Sequence, residues 1–242
     1  MKSLARDLSG LYDFLGRLPG PASLVWLMLG LLAGWWLYVP VHEMLHVAGC
    51  LLAGGEVSRL ELAPLYGGDL LAGWLPFVVS GSDYAGQLIG FDTRGSDWIY
   101  QSCVLMPYIL TIFPGFWFLQ RLLHAVEPVS RARAIAVGGS MPVVAAPLIS
   151  LTGDYYESGS ILASGLLAAR LERDPDLWRS DDLFRAIAQS DGAIGMGDAA
   201  IIGLGIILAM LLAGLTMITG SCLGRALNRT KSRRRSPHPE TL

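Results

Sequence analysis

Four stretches of this chain contain no Asp, Glu, Lys or Arg: Leu18–Val41, Trp98–Gln120, Ala134–Gly153 and Ala199–Gly224. A helix crosses a hydrocarbon core of about 30 Å with about 20 apolar residues, and each stretch is that long. Soluble domains carry about 25% charged residues. This chain has 16%, with 52% hydrophobic residues and a mean hydropathy of +0.48. A chain of 242 residues has too little polar helix to wrap four such cores in water. The expected architecture is an all-α polytopic membrane protein with about four transmembrane helices, near residues 22–53, 98–120, 134–153 and 199–224.

Residues 1–21 form a separate N-terminal segment. Leu4, Leu8, Leu11, Phe14, Leu15 and Leu18 recur at helical spacing, with Lys2, Arg6 and Arg17 among them. That pattern predicts an amphipathic helix lying on a membrane surface, ended by Pro19-Gly20-Pro21. The first apolar run is longer than a signal-peptide core and lacks a small-x-small cleavage site, so it is expected to remain as a span. Residues 22–224 make the membrane-embedded domain, and residues 225–242 a basic tail. The tail abuts the fourth span, which suits an anchor to anionic lipid better than a nucleic-acid site.

The net charge of -2 conceals an asymmetry. Lys2, Arg6 and Arg17, then Arg121, Arg131 and Arg133, then Arg225, Arg229, Lys231 and Arg233–Arg235 flank one set of span ends. The connections 54–97 and 154–198 are mainly acidic. The positive-inside rule places both termini and the 121–133 loop in the cytoplasm. Cys50, Cys103 and Cys222 are scattered and form no metal knuckle or disulfide framework. Cys50 falls one turn after His46 on the same face, but a third ligand from one helix would strain a tetrahedral site, so it reads as packing.

At the end of the first apolar run stands His42-Glu43-Met44-Leu45-His46, the pattern H-E-x-x-H. Two histidines four apart lie on one helical face and can grip one Zn²⁺, while the glutamate between them can take a proton from water. Imidazoles and a carboxylate beside a membrane span are costly unless they serve a purpose. A catalytic zinc ordinarily takes three protein ligands. Spans one and three both run outward, so Asp154, at the end of span three, arrives at the depth of the histidines. Pro142 and Pro147 bend that span, as helices that line a site tolerate. Glu157, one turn on, is the alternative ligand; Asp191 and Asp198 lie on the same side.

Taken together, His42-Glu43-Met44-Leu45-His46, the following Val47–Val57 with its Gly54-Gly55 turn, Leu60–Pro64 and Gly67-Gly68 resemble the site-2 protease family of intramembrane zinc metalloproteases. The resemblance covers residues 24–70 well and 140–158 loosely. It implies a small membrane-associated β-hairpin after the first span, and Val57, Leu60 and Leu62 with polar residues interleaved read as a strand. It implies an aspartate ligand from a later Pro-rich span, the role Asp154 fits. The order here is Gly153-Asp154 where the family has Asp-Gly, and Asn228 is the only asparagine.

The resemblance implies a zinc metalloendopeptidase, multi-pass in the cytoplasmic membrane of a bacterium, acting on a membrane-anchored protein or peptide and on no nucleic acid. His42, His46 and Asp154 would hold Zn²⁺, and Glu43 would be the general base. Tyr155 and Tyr156 are near candidates for an oxyanion donor but read better as interfacial belt residues. A β-edge at 56–66 would accept an unwound substrate, the 69–97 stretch would form a gate or re-entrant loop, and the 154–198 loop would cap the site or form a surface helix. The competing expectations are a membrane zinc hydrolase of another class with Glu157 as ligand, and a non-enzymatic metal-binding membrane protein.

Overall fold

The computed structural model describes residues 2–125, 127–190 and 194–235, with side chains described to residue 230. Asp191 and the last seven residues of the basic tail lie outside the described residues. The helices are α1 (Lys2–Gly16), α2 (Pro21–Leu52), α3 (Gly68–Ala72), α4 (Asp97–Leu105), α5 (Phe116–Leu123), α6 (Arg131–Ile149), α7 (Asp154–Leu167), α8 (Leu183–Gln189) and α9 (Met196–Arg235). The strands are β1 (Glu56–Leu62), β2 (Val78–Ser80) and β3 (Gly86–Asp92). Four helical segments are long and apolar enough to cross a membrane: Pro21–Leu52, Asp97–Leu123, Arg131–Leu167 and Met196–Thr230. The second is interrupted between α4 and α5 at Phe113, whose backbone is extended (φ -154°, ψ 129°) ahead of Pro114.

The chain divides into two compact units. The first comprises the described residues within 1–35, 110–145 and 216–235. Its core gathers Phe14, Phe116, Leu119, Leu123, Val137, Val144 and Met217. The sequence Gly30-Leu31-Leu32-Ala33-Gly34 lets α2 touch α6: a Cβ at Gly30 would lie 2.1 Å from the Ile135 carbonyl oxygen, and one at Gly34 2.5 Å from that of Gly139. Only glycine permits that approach, the small-xxx-small contact common between apolar helices. The N-terminal segment forms the helix α1, with Leu8, Tyr12 and Leu15 exposed and Phe14 buried. Its buried face also carries Asp7, which pairs with Arg225 and accepts from Ser221 Oγ and from Gln120 Nε2 at 3.1 Å. Arg17 and Arg133 donate to the Leu123 carbonyl at 2.9 and 3.2 Å, satisfying an orphan group at the end of α5.

The second unit comprises residues 36–109 and 146–215. Its sheet has the order β2-β1-β3. Period-two patterning forms β1: Leu60 and Leu62 are fully buried, while Arg59 and Glu61 pair with each other at 2.6 Å on the other face. β1 runs antiparallel to β3, with Leu62 opposite Gly86 and Glu56 opposite Asp92, and parallel to β2, with Leu60 opposite Val78. The expected hairpin is thus a mixed three-stranded sheet, and the 69–97 stretch supplies two of its strands rather than a re-entrant loop. The expected β-edge at 56–66 is not an edge, because β1 is paired on both sides. The 154–198 segment also differs from a plain surface helix. Its first third is α7, whose Tyr155, Tyr156, Ser158, Ile161 and Ala163 are buried, and Tyr156 and Ala163 pack with Trp178, Leu183, Ile201 and Ile202.

Candidate metal site

The second and third turns from the end of α2 carry His42, Glu43 and His46, all three at least nine-tenths buried. The four-residue spacing puts both imidazoles on one face, with their Nε2 atoms 3.1 Å apart. The facing partner comes from the break between α6 and α7. The helix ends at Ile149, turns through 150–153 and restarts at Asp154. This restart aims the Asp154 carboxylate back at α2, with Oδ2 3.1 Å from His42 Nε2 and 3.6 Å from His46 Nε2. Among the described residues these are the group of three that could hold a metal ion. Gly153 occupies the cap position with no side chain to offer. Asp154 therefore reaches the histidines from the first residue of the helix rather than capping it.

The donor set passes a geometric test. Three atoms bound to one tetrahedral zinc at ~2.0–2.1 Å stand about 3.3 Å from one another. The observed separations of 3.1, 3.1 and 3.6 Å straddle that value. The rest of each ring is held as metal-bound histidines require. His46 Nδ1 donates to the Cys103 carbonyl at 2.9 Å, which fixes the proton on Nδ1 and leaves the Nε2 lone pair facing the group. His42 Nδ1 meets the Tyr38 hydroxyl at 2.8 Å. Tyr108 donates to Asp154 Oδ2 at 2.6 Å and sets its ring edge against His42. These supports were not foreseen. Only Tyr38 had a signal in the sequence, since it lies four residues before His42 on the same helical face.

A cavity of about 70 Å³, enough for a few waters, adjoins the group and is lined by Glu43, His46, Gly86, Tyr100, Asp154 and Glu157, among others. β3 closes one side. A Cβ on Gly86 would lie 2.5 Å from Glu43 Cγ, so this glycine is what lets the strand lie against the glutamate. Glu157 lies outside the group of three and accepts from the Tyr100 hydroxyl at 2.6 Å. Asp198 is occupied elsewhere, accepting from Trp178 Nε1 and the Gly195 N–H at 3.0 Å each. Cys50 is fully buried and packs with Ile99 and Cys103. Tyr155 and Tyr156 are fully buried and do not line the cavity, which removes them as oxyanion donors.

Compared with known proteins, the chain matches no family model, no curated protein and no solved structure. The functional reading rests on the site itself.

Proposed function

We propose that the protein is an intramembrane zinc metalloendopeptidase that hydrolyses a peptide bond in a membrane-anchored protein or peptide, in the manner of the site-2 proteases it resembles. The observation that carries the reading is the convergence of His42 Nε2, His46 Nε2 and Asp154 Oδ2 from two separate helical segments, with Glu43 beside them. Two imidazoles and one carboxylate are a zinc-type donor set that leaves a fourth position for water or substrate. Zinc held there would supply a Lewis acid that acidifies water and polarises a carbonyl.

Glu43 would take the proton of the attacking water and return it to the leaving amine. Its burial and the Gly86 backbone against it restrict where its carboxylate can point. Tyr38, Tyr108 and the Cys103 carbonyl would act as positioning groups. A substrate helix hides its carbonyls in its own hydrogen bonds, so a segment must unwind before attack. Among the described residues β3 pairs only with β1, and its first residues line the site, so its outer edge is suited to receive that segment as an added strand. The basic residues flanking the spans support cytoplasmic termini, and the resemblance implies a bacterial cytoplasmic membrane.

The test is Glu43→Gln in detergent-purified protein. It should keep one zinc per chain and its fold while cleavage of single-span peptides falls by about 10²–10⁴. His42→Ala, His46→Ala and Asp154→Ala should each lose zinc. Wild-type cleavage by Glu43→Gln would refute the mechanism. Zinc lost from Glu157→Ala and kept by Asp154→Ala would transfer the third ligand to Glu157.

A further inference from the structure

A second, larger cleft of about 720 Å³ lies in the same unit as the metal site and shares two wall residues, Phe91 and Tyr100, with the small cavity beside Glu43. β3 connects the two. Gly86, Gln87 and Leu88 line the small cavity, while Phe91 and Asp92 line the cleft. Six residues of strand cover roughly 20 Å. α7 measures a similar interval: Asp154 is a metal-site residue and Ser164 and Gly165 line the cleft, about 15 Å further along the helix. An extended peptide covers 15–20 Å in about five or six residues.

We propose that this cleft is a substrate subsite that takes an extended, polar segment of polypeptide lying about five or six residues from the bond to be cut. As a substrate subsite it rests on the peptidase reading; as a peptide-binding cleft it does not. The volume falls within the range of ligand sites. The lining carries both signs of charge, largely paired within itself. Arg179 bonds Asp97 at 2.9 Å and Asp176 at 3.1 Å, and donates to Ser164 Oγ at 2.9 Å. Such a wall repels a lipid tail, and with three carboxylates against two guanidinium groups it offers little net charge to concentrate a free ion. It suits a chain that brings its own amide donors and acceptors. The polar stretch that follows an apolar span has that chemistry.

Gly165 provides the test. A Cβ there would meet only Asp97 Oδ2, at an ordinary 3.6 Å, so a side chain can be added without displacing backbone. Gly165→Phe should fill the cleft, Ala169→Leu should narrow it from the next turn, and Gly165→Ala is the control. The probe is a fluorescein-labelled pool of octapeptides built from Ser, Thr, Asn, Gln, Lys and Asp, read by anisotropy against the Glu43→Gln protein in micelles. The pool should bind, Gly165→Ala should bind equally, and Gly165→Phe should weaken binding at least about tenfold. In the active protein, Gly165→Phe should raise KM about tenfold for a single-span peptide with such a flank. It should leave kcat unchanged and have no effect on the same peptide without the flank. No pool binding, or binding indifferent to both Gly165→Phe and Ala169→Leu, overturns the proposal. Binding of this pattern without cleavage of either peptide would leave the cleft a peptide site and defeat the peptidase reading alone.

Discussion

Gly49→Ala probes whether the metal site depends on how closely two helices approach. Gly49 lies one turn after His46 on α2, and a Cβ there would stand 2.3 Å from the Ser102 carbonyl oxygen and 2.7 Å from Met106 Cβ. The oxygen cannot swing aside without loss, because it accepts the Met106 N–H within α4. Relieving the overlap to ~3.3 Å requires α2 and α4 to separate by about 1 Å, an overpacking that costs about 1–3 kcal/mol. The next carbonyl along α4, that of Cys103, holds His46 Nδ1 at 2.9 Å. The same movement stretches that contact to about 3.9 Å, beyond hydrogen bonding. Loss of an outer partner of a metal-bound histidine lowers metal affinity about 10–100-fold. The assay is the zinc Kd, measured by competition with a chromophoric chelator in micelles. Gly203→Ala is the matched control, because a Cβ there meets nothing within 4 Å. Gly49→Ala should bind zinc 10–100-fold more weakly and Gly203→Ala as wild type. An unchanged Kd in Gly49→Ala would refute the claim that helix spacing sets the His46 ring.

Three other perturbations separate the parts of the structure. Gly86→Ala places a methyl group against Glu43 and should leave zinc content intact while peptide cleavage falls by about 10² or more, the loss expected for a displaced general base. Asp7→Ala strips the part-buried Arg225 guanidinium and the buried Ser221 of their shared partner and should cost about 3 kcal/mol in urea unfolding; Asp7→Leu with Arg225→Met should recover most of it. Asp182 caps α8 by accepting the Arg185 N–H at 2.9 Å, and that bond holds its carboxyl below the usual carboxylate range. Its contribution is therefore complete above the unfolded value of about 4 and is lost as pH falls through the lower folded value. Amide-exchange protection of α8 should drop on acidification across that window, and Asp182→Ala should abolish the dependence.

What the sequence revealed and what it concealed follow from the range of each interaction. His42, Glu43 and His46 were legible because a four-residue helical spacing fixes their geometry locally. Asp154 was legible because counting spans brings it to the same level as the histidines. The Tyr108 hydroxyl and the Cys103 carbonyl were not, because a long-range backbone path through α4 and the break after it delivers them. The burial of α7 was hidden for a related reason. Asp154 and Glu157 interrupt the apolar run and look like the start of a solvated loop. In the structure those carboxylates face His42 and Tyr100, so the helix continues inside the protein. The sheet was half visible: β1 alternates over Leu60-Glu61-Leu62 with its register shifted around Arg59, whereas β2 has three residues, too few to show any period.

If the protein is the intramembrane peptidase proposed above, the sheet beside the site bears on how a substrate is chosen. Unwinding one turn of a membrane helix exposes amides that cost several kcal/mol each if left unpaired in hydrocarbon. Along a strand edge, alternate residues turn both N–H and C=O outward, so seven-residue β3 offers three or four such residues, about what one unwound turn requires. The edge can return these bonds only after the substrate has given up its own. Local helix stability of the substrate then becomes the selective quantity. Replacing Leu-Leu by Gly-Gly at the scissile region lowers that stability by about 2 kcal/mol, at roughly 1 kcal/mol per glycine. If unwinding precedes attack, the Gly-Gly peptide should be cut about 10–30-fold faster in kcat/KM, measured in micelles with otherwise identical single-span peptides. Equal rates for the two would mean that helix opening is not on the path to cleavage and that β3 has no such role.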